Sequence, residues 1–95
     1  MKLNLQKDFD NTVDILWVLG SNIRLKILQL ISGDKEYRLK DLEPFIHCGI
    51  SNLSQQVKLL EEAGLVIKEK MKDGSTAKII KPVYDKIFIF FDDTK

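Results

Sequence analysis

Apolar and polar positions along the chain switch between two periods, and the switch divides it into elements. The clearest helical stripe runs through Ile50, Leu53, Val57, Leu60 and Leu65, with polar Ser51, Asn52, Ser54, Gln55, Gln56 and Lys58 between them. Steps of three, four and three, then five to Leu65, place one set on a core-facing stripe and the other on the opposite face. Gly64 follows as a left-handed helix cap. Upstream, Asp8 or Asp10 can cap a first helix bearing Phe9, Val13, Leu16 and Trp17, with Ile15 and Val18 also apolar. Being apolar around most of its girth, this helix either lies centrally in the core or turns a second face to a partner chain. Gly20 stops it and Ser21 starts a second helix, striped by Ile23, Ile27, Leu30 and Ile31. A third helix carries Leu39, Leu42, Phe45 and Ile46. Pro44 requires either that it kink or that it start late, because proline lacks the N–H and clashes with the preceding turn. His47-Cys48-Gly49 is the turn into the fourth helix, with Cys48 or Gly49 at its cap.

After Gly64 the period becomes that of a strand. Ile67 and Met71 alternate with Lys68 and Lys70, and Asp73-Gly74 then signals a two-residue hairpin turn. The return strand runs from Thr76 to Lys81. In the last apolar segment Tyr84, Ile87, Phe88 and Phe91 fit a helical stripe, whereas Ile87 to Phe91 alone also fits a buried strand. The Asp85-Lys86 break favours the helix. The predicted fold is mainly α with a small β-hairpin: a winged helix-turn-helix of four helices, a two-stranded wing and a C-terminal apolar helix. Residues 1–95 form one domain.

Composition changes this picture little. The chain has 95 residues, 44% hydrophobic and 31% charged, with a formal charge of +1 and a pI near 7.8. That balance suits a small soluble domain and does not by itself announce a nucleic-acid binder. From Ile50 to Pro82, however, six lysines stand against four acids, and four of those lysines come from Lys70 onward. One cysteine, Cys48, excludes an internal disulfide framework and fits a reducing, cytoplasmic setting. No apolar run approaches the length of a membrane span.

Two stretches resemble a known family. Leu19-Gly20-Ser21-Asn22-Ile23-Arg24-Leu25-Lys26-Ile27-Leu28 is similar to the opening signature of ArsR-type winged-helix repressors. Ser54-Gln55-Gln56-Val57-Lys58-Leu59-Leu60-Glu61-Glu62-Ala63-Gly64-Leu65-Val66 resembles that family's recognition helix running into the wing, an ending shared with MarR-like and many archaeal regulators. The resemblance spans roughly Leu16 to Lys81. It implies a dimeric transcription regulator that dimerises through its first and last helices, so that 1–19 and 83–91 would be the dimerisation elements. The chain departs from the pattern in having Arg38 where the third helix usually opens with Ser or Thr, Gln56 where a His is common, and no paired cysteines of the metal-sensing members.

The chemistry of the residues agrees with DNA reading. Asn and Gln can pair bidentately with adenine edges and Ser can serve several bases, so Ser51, Asn52, Gln55, Gln56 and Lys58 are the candidate base-reading set. Arg38, Lys40, Lys70, Lys72 and Lys78 are the candidate phosphate contacts. Arg24 fits either a phosphate contact or a structural ion pair with an acid, the structural role being favoured. Phe9, Val13, Leu16, Trp17, Tyr84, Ile87, Phe88 and Phe91 are the candidate dimer interface. Adjacent His47 and Cys48 do not make a zinc site, which needs about four ligands. Neither a phosphate loop nor a nucleophile-and-base set is present, so no enzyme, metal or cofactor is expected. The expected partners are double-stranded DNA and a second copy of the chain. The alternatives are a winged-helix protein-interaction module or adaptor, favoured by the near-neutral charge and Glu61-Glu62, and a DNA binder without sequence preference.

Overall fold

The computed structural model describes residues 1–71, 73–74 and 76–92. In chain order the elements are β1 (Lys2–Asn4), α1 (Phe9–Leu19), α2 (Asn22–Ile31), β2 (Tyr37–Arg38), α3 (Leu39–Ile46), α4 (Ile50–Glu62), β3 (Val66–Lys70), β4 (Lys78–Pro82) and β5 (Phe88–Phe90).

The four helices form where the apolar periods put them, and local chemistry sets their ends. Ser21 caps α2 by accepting the Arg24 N–H at 3.3 Å. Gly49 is the N-cap of α4, and Gly64 beyond its end takes φ +76°, as a left-handed cap requires. The third helix starts at Leu39 and runs through Pro44, so the late start is excluded. Pro44 stands in an eight-residue helix two positions before its end, so it removes a single N–H, the one that would reach the exposed Lys40. His47 then leaves the helix in the left-handed region at φ 43°.

The core gathers Ile15 and Val18 of α1, Ile27 and Ile31 of α2, Leu42 and Ile46 of α3, and Leu53, Val57 and Leu60 of α4 under Leu65, Val66 and Ile80. Ile50, the first residue of the α4 stripe, is 42% exposed and lies outside it. The first helix is not the central core helix that one reading allowed. Thr12, Ile15 and Val18 face inward, while Phe9 (60% exposed), Val13, Leu16 and Trp17 (64%) face out.

Strands β2, β4 and β3 make an antiparallel sheet in that order. Its register corrects the two-residue turn. A turn centred on Asp73-Gly74 would set Lys70 opposite Ala77; instead Lys70 faces Lys78, and the Met71 N–H donates to the Ala77 carbonyl at 3.1 Å. An odd number of residues therefore closes the tip, and Gly74 there has φ +82°.

The C-terminal apolar segment is a strand, not a helix. β5 pairs in parallel with β1, with Lys2 opposite Phe88 and Asn4 opposite Phe90. The Met1 ammonium donates to the Lys86 carbonyl at 2.8 Å and the Gln6 side chain to the Phe91 carbonyl at 3.1 Å, so both ends of the chain are tied together. Five apolar residues are too few to hold an isolated helix, and Ile and Phe suit a strand once a backbone edge is available. The strand period also resorts the side chains. Phe88 and Phe90 point outward, whereas Ile87 and Ile89 are half-buried against the core.

Candidate nucleic-acid interface

The polar face of α4 borders an open groove of about 460 Å³ lined by Leu39, Ile50, Ser51, Ser54, Gln55 and Lys58. A second groove of about 400 Å³ lies on the other side of Leu39, between the start of α3 and the hairpin, lined by Arg38, Lys40, Lys68, Ala77, Lys78 and Ile80. Leu39, the first residue of α3, thus joins a groove whose polar groups are uncharged apart from Lys58 to one walled by cations.

The candidate base-reading residues divide into two groups. Ser51, Gln55 and Lys58 are exposed on the groove beside Leu39, and Ser54 joins them. Lys58 stands 4.0 Å from Glu62. Asn52 and Gln56 belong to another network. The Gln56 amide nitrogen donates to Asn52 Oδ1 at 3.0 Å, and Gln56 Oε1 accepts from Arg24 Nη1 at 2.7 Å. Gln56 is accordingly half-buried, while Asn52 remains exposed.

Arg24 is structural, but not through an acid. Its guanidinium donates to the Val18 carbonyl at 2.5 Å and the Trp17 carbonyl at 3.3 Å, and lies 5.0 Å from the Trp17 ring centroid. The carbonyl end of α1 carries the negative end of its dipole and takes the place of a carboxylate.

Arg38 is likewise engaged. Its Nε and Nη2 donate to the two Asp41 oxygens at 3.0 and 3.1 Å, and its backbone N–H donates to the same carboxylate at 2.9 Å. This is half of a capping box: Asp41 caps the start of α3, but a guanidinium has no acceptor with which to answer. The hydrogen bonds from the Arg38 side chain and backbone hold the Asp41 carboxyl below its ordinary range, and Asp41 in turn raises the guanidinium's pKa. Arg38 therefore reaches the groove with much of its charge compensated.

The lysines differ. Lys40, Lys70 and Lys78 are exposed and form no ion pair among the described residues. Lys70 and Lys78 face each other across the hairpin, an arrangement of like charges that disfavours the sheet unless an anion intervenes. Lys72 lies outside the described residues. Lys68 was missed among the candidates, although strand alternation puts it on the Lys70 face; it stands 3.8 Å from Glu61. Lys81 is held by Glu36 and Glu69 and stays out of this set.

Four helices with α3 and α4 joined by a three-residue turn, followed at once by a hairpin, decide the architecture. The fold is a winged helix-turn-helix. Its wing is β3–β4, with β2 as a third strand at the base. Solved structures of the same winged fold include reduced HlyU from Vibrio cholerae, at 23% identity and a TM-score of 0.71 over 85% of this chain and 81% of that one. Another is the homodimeric winged helix-turn-helix DNA-binding domain of a possible ArsR-family transcriptional regulator from Mycobacterium bovis, at 18% identity and a TM-score of 0.69 over 81% and 68% of the two chains. A transcriptional regulator homologue from Pyrococcus horikoshii is similar at 18% identity and a TM-score of 0.61 over 78% and 76%. In sequence, the chain matches no family model and no curated protein.

The remaining candidates lie on α1 and in the C-terminal segment. Phe9, Val13, Leu16 and Trp17 make an exposed stripe on α1; Tyr84, Phe88 and Phe91 are exposed too, and Phe90, not anticipated, joins them at 38%. Ile87 turns inward and leaves the exposed set. No helix among the described residues is long and apolar enough to cross a membrane.

Proposed function

We propose that this protein is a transcription regulator, a repressor, that binds double-stranded DNA with sequence preference as a homodimer. α4 enters the major groove, about 12 Å wide, with Ser51, Ser54, Gln55 and Lys58 toward base edges. Lys40, Lys68, Lys70 and Lys78, with Arg38 beside α3, neutralise phosphates. The observation that carries this reading is the junction at Leu39, where a groove bearing Ser51, Ser54, Gln55 and a single lysine, Lys58, adjoins one lined by Arg38, Lys40, Lys68 and Lys78. Phosphate contacts position a protein and base contacts specify, so a DNA reader needs both surfaces side by side.

The homodimer rests on the apolar stripe of α1 and the outward phenylalanines of β5. β1 packs against α1 and pairs with β5, which brings the two elements close together. An apolar surface of this kind marks an interface. The similarity to a homodimeric winged helix-turn-helix DNA-binding domain supports the same arrangement. Two copies would read half-sites about one helical turn, roughly 34 Å, apart.

A gel shift titrated with salt, on genomic and random duplexes, tests the reading. Binding that weakens steeply with salt and favours a subset of genomic fragments is expected. Gln55→Ala should relax that preference by about 1–3 kcal/mol. Absence of binding at low salt would leave the protein-interaction module as the better account.

A further inference from the structure

Among the described residues Arg24 is the most deeply placed charge, at 8% exposure, and the proposed DNA contacts do not use it. Two of its donor nitrogens are held by the Val18 and Trp17 carbonyls of α1, and the Trp17 ring lies against its guanidinium. Its backbone is fixed as well, since its N–H donates to the Ser21 cap. The one donor directed out of this cradle, Nη1, reaches α4 and gives its hydrogen to Gln56 Oε1 at 2.7 Å. A primary amide has its oxygen and nitrogen on opposite sides, so fixing Oε1 also fixes the direction of Nε2. That nitrogen donates to Asn52 Oδ1 at 3.0 Å, one turn earlier on the same helix. Asn52 is exposed, and with its oxygen so held its amide nitrogen is left to face outward.

We propose that Arg24 is a positioning residue for DNA recognition. It sets the amide orientation of Gln56 and, through it, that of Asn52. It thereby determines which hydrogen-bond donors and acceptors this side of α4 offers to a base edge. A freely rotating amide presents either group and discriminates poorly; a fixed one presents a defined group, here the Asn52 Nδ2 donor, which suits a base acceptor such as a purine N7. Gln56 then acts by orienting Asn52 more than by reading a base itself, because its oxygen is already taken. The inference rests on the reading of α4 as the helix in the major groove.

The test begins with a duplex enriched by the wild-type protein from a randomised library. The readout is the ratio of its affinity to that of the unenriched pool. Arg24→Lys keeps the charge but not the three-way fork. It should lower the ratio about tenfold while leaving pool affinity and its salt dependence unchanged. Gln56→Ala should lower the ratio similarly, and adding Arg24→Lys to it should change nothing more, because the two act through one path. A ratio that survives Arg24→Lys, or effects that multiply in the double variant, would overturn the inference. NMR of the free wild-type protein gives a reading that needs no variant. The Gln56 side-chain amide should stand apart from the position of unstructured glutamines, and finding it there also overturns the inference. Failure of the wild type to enrich any duplex would refute the proposed function itself, whereas enrichment that persists in Arg24→Lys refutes only the role of Arg24.

Discussion

Lys78→Gln separates the phosphate surface from everything else the fold does. Lys78 opens β4, lies exposed on the groove with Lys40 and Lys68, and faces Lys70 directly. Among the described residues no acid compensates it. In a homodimer each substitution removes two cations. At about 0.9 counterion per phosphate, the slope of log affinity against log salt should fall by about 1.8. The same relation lowers the association constant roughly 60-fold at about 0.1 M salt, for any duplex. The fold should move the other way. Removing a repulsion between directly opposed lysines stabilises the hairpin by about 0.2–1 kcal/mol, so thermal stability should rise slightly as DNA affinity falls. Fluorescence anisotropy over a range of salt concentrations, on enriched and unenriched duplexes, measures both slope and selectivity. An unchanged slope would remove Lys78 from the phosphate surface. A loss confined to the enriched duplex would make it a base contact instead.

Four further outcomes follow from the same structure. Leu53, 0% exposed on the inward stripe of α4, should lose about 2–5 kcal/mol of stability as Leu53→Ala, read by urea unfolding; a loss under about 1 kcal/mol would mean the core is not built on this helix. Val13→Asp places a charge in the exposed α1 stripe and should convert the dimer to a monomer in sedimentation equilibrium, with helical circular dichroism intact; an unchanged mass contradicts the proposed interface. Thr12 is fully buried and its hydroxyl has no hydrogen-bond partner among the described residues, so Thr12→Val should raise stability by about 1 kcal/mol, and a lower unfolding midpoint would show a partner in solution. Asp41 has a depressed folded pKa, so its contribution is present above the unfolded value of about 3.9 and is lost as pH falls through the folded one. The difference in melting temperature between wild type and Asp41→Asn should therefore hold near neutrality and close in acid; a gap that widens in acid would contradict the assignment.

The parts of this fold that obey local rules were legible in the residues. Leu53, Val57 and Leu60 announce α4 by spacing, Ser21 and Gly49 announce helix starts, and Gly64 announces a left-handed cap. Parts decided by distant partners were not. Phe88 to Phe90 become a strand because β1 offers a backbone edge from the other end of the chain. No periodicity in either segment foretells that pairing, and reading the segment as a helix put Ile87 on the surface and hid Phe90. The hairpin was recognisable from Asp73-Gly74, but its register was not, because adding one residue to the tip changes every pair across the ladder. At the interface, Arg24 finds Gln56 across 32 residues, a contact that neither local sequence suggests. Arg38 is different: Asp41 stands three residues on, and a carboxylate at that position of a helix start is a readable sign that the arginine is already engaged.

The central claim is that α4 and the wing together read double-stranded DNA by sequence. Selection by the wild-type protein from a randomised duplex library at moderate salt tests it most directly. The account predicts enrichment of an inverted repeat whose half-site centres lie about one helical turn, roughly 10 base pairs, apart. Recovery of a pool as random as the one that went in would contradict it.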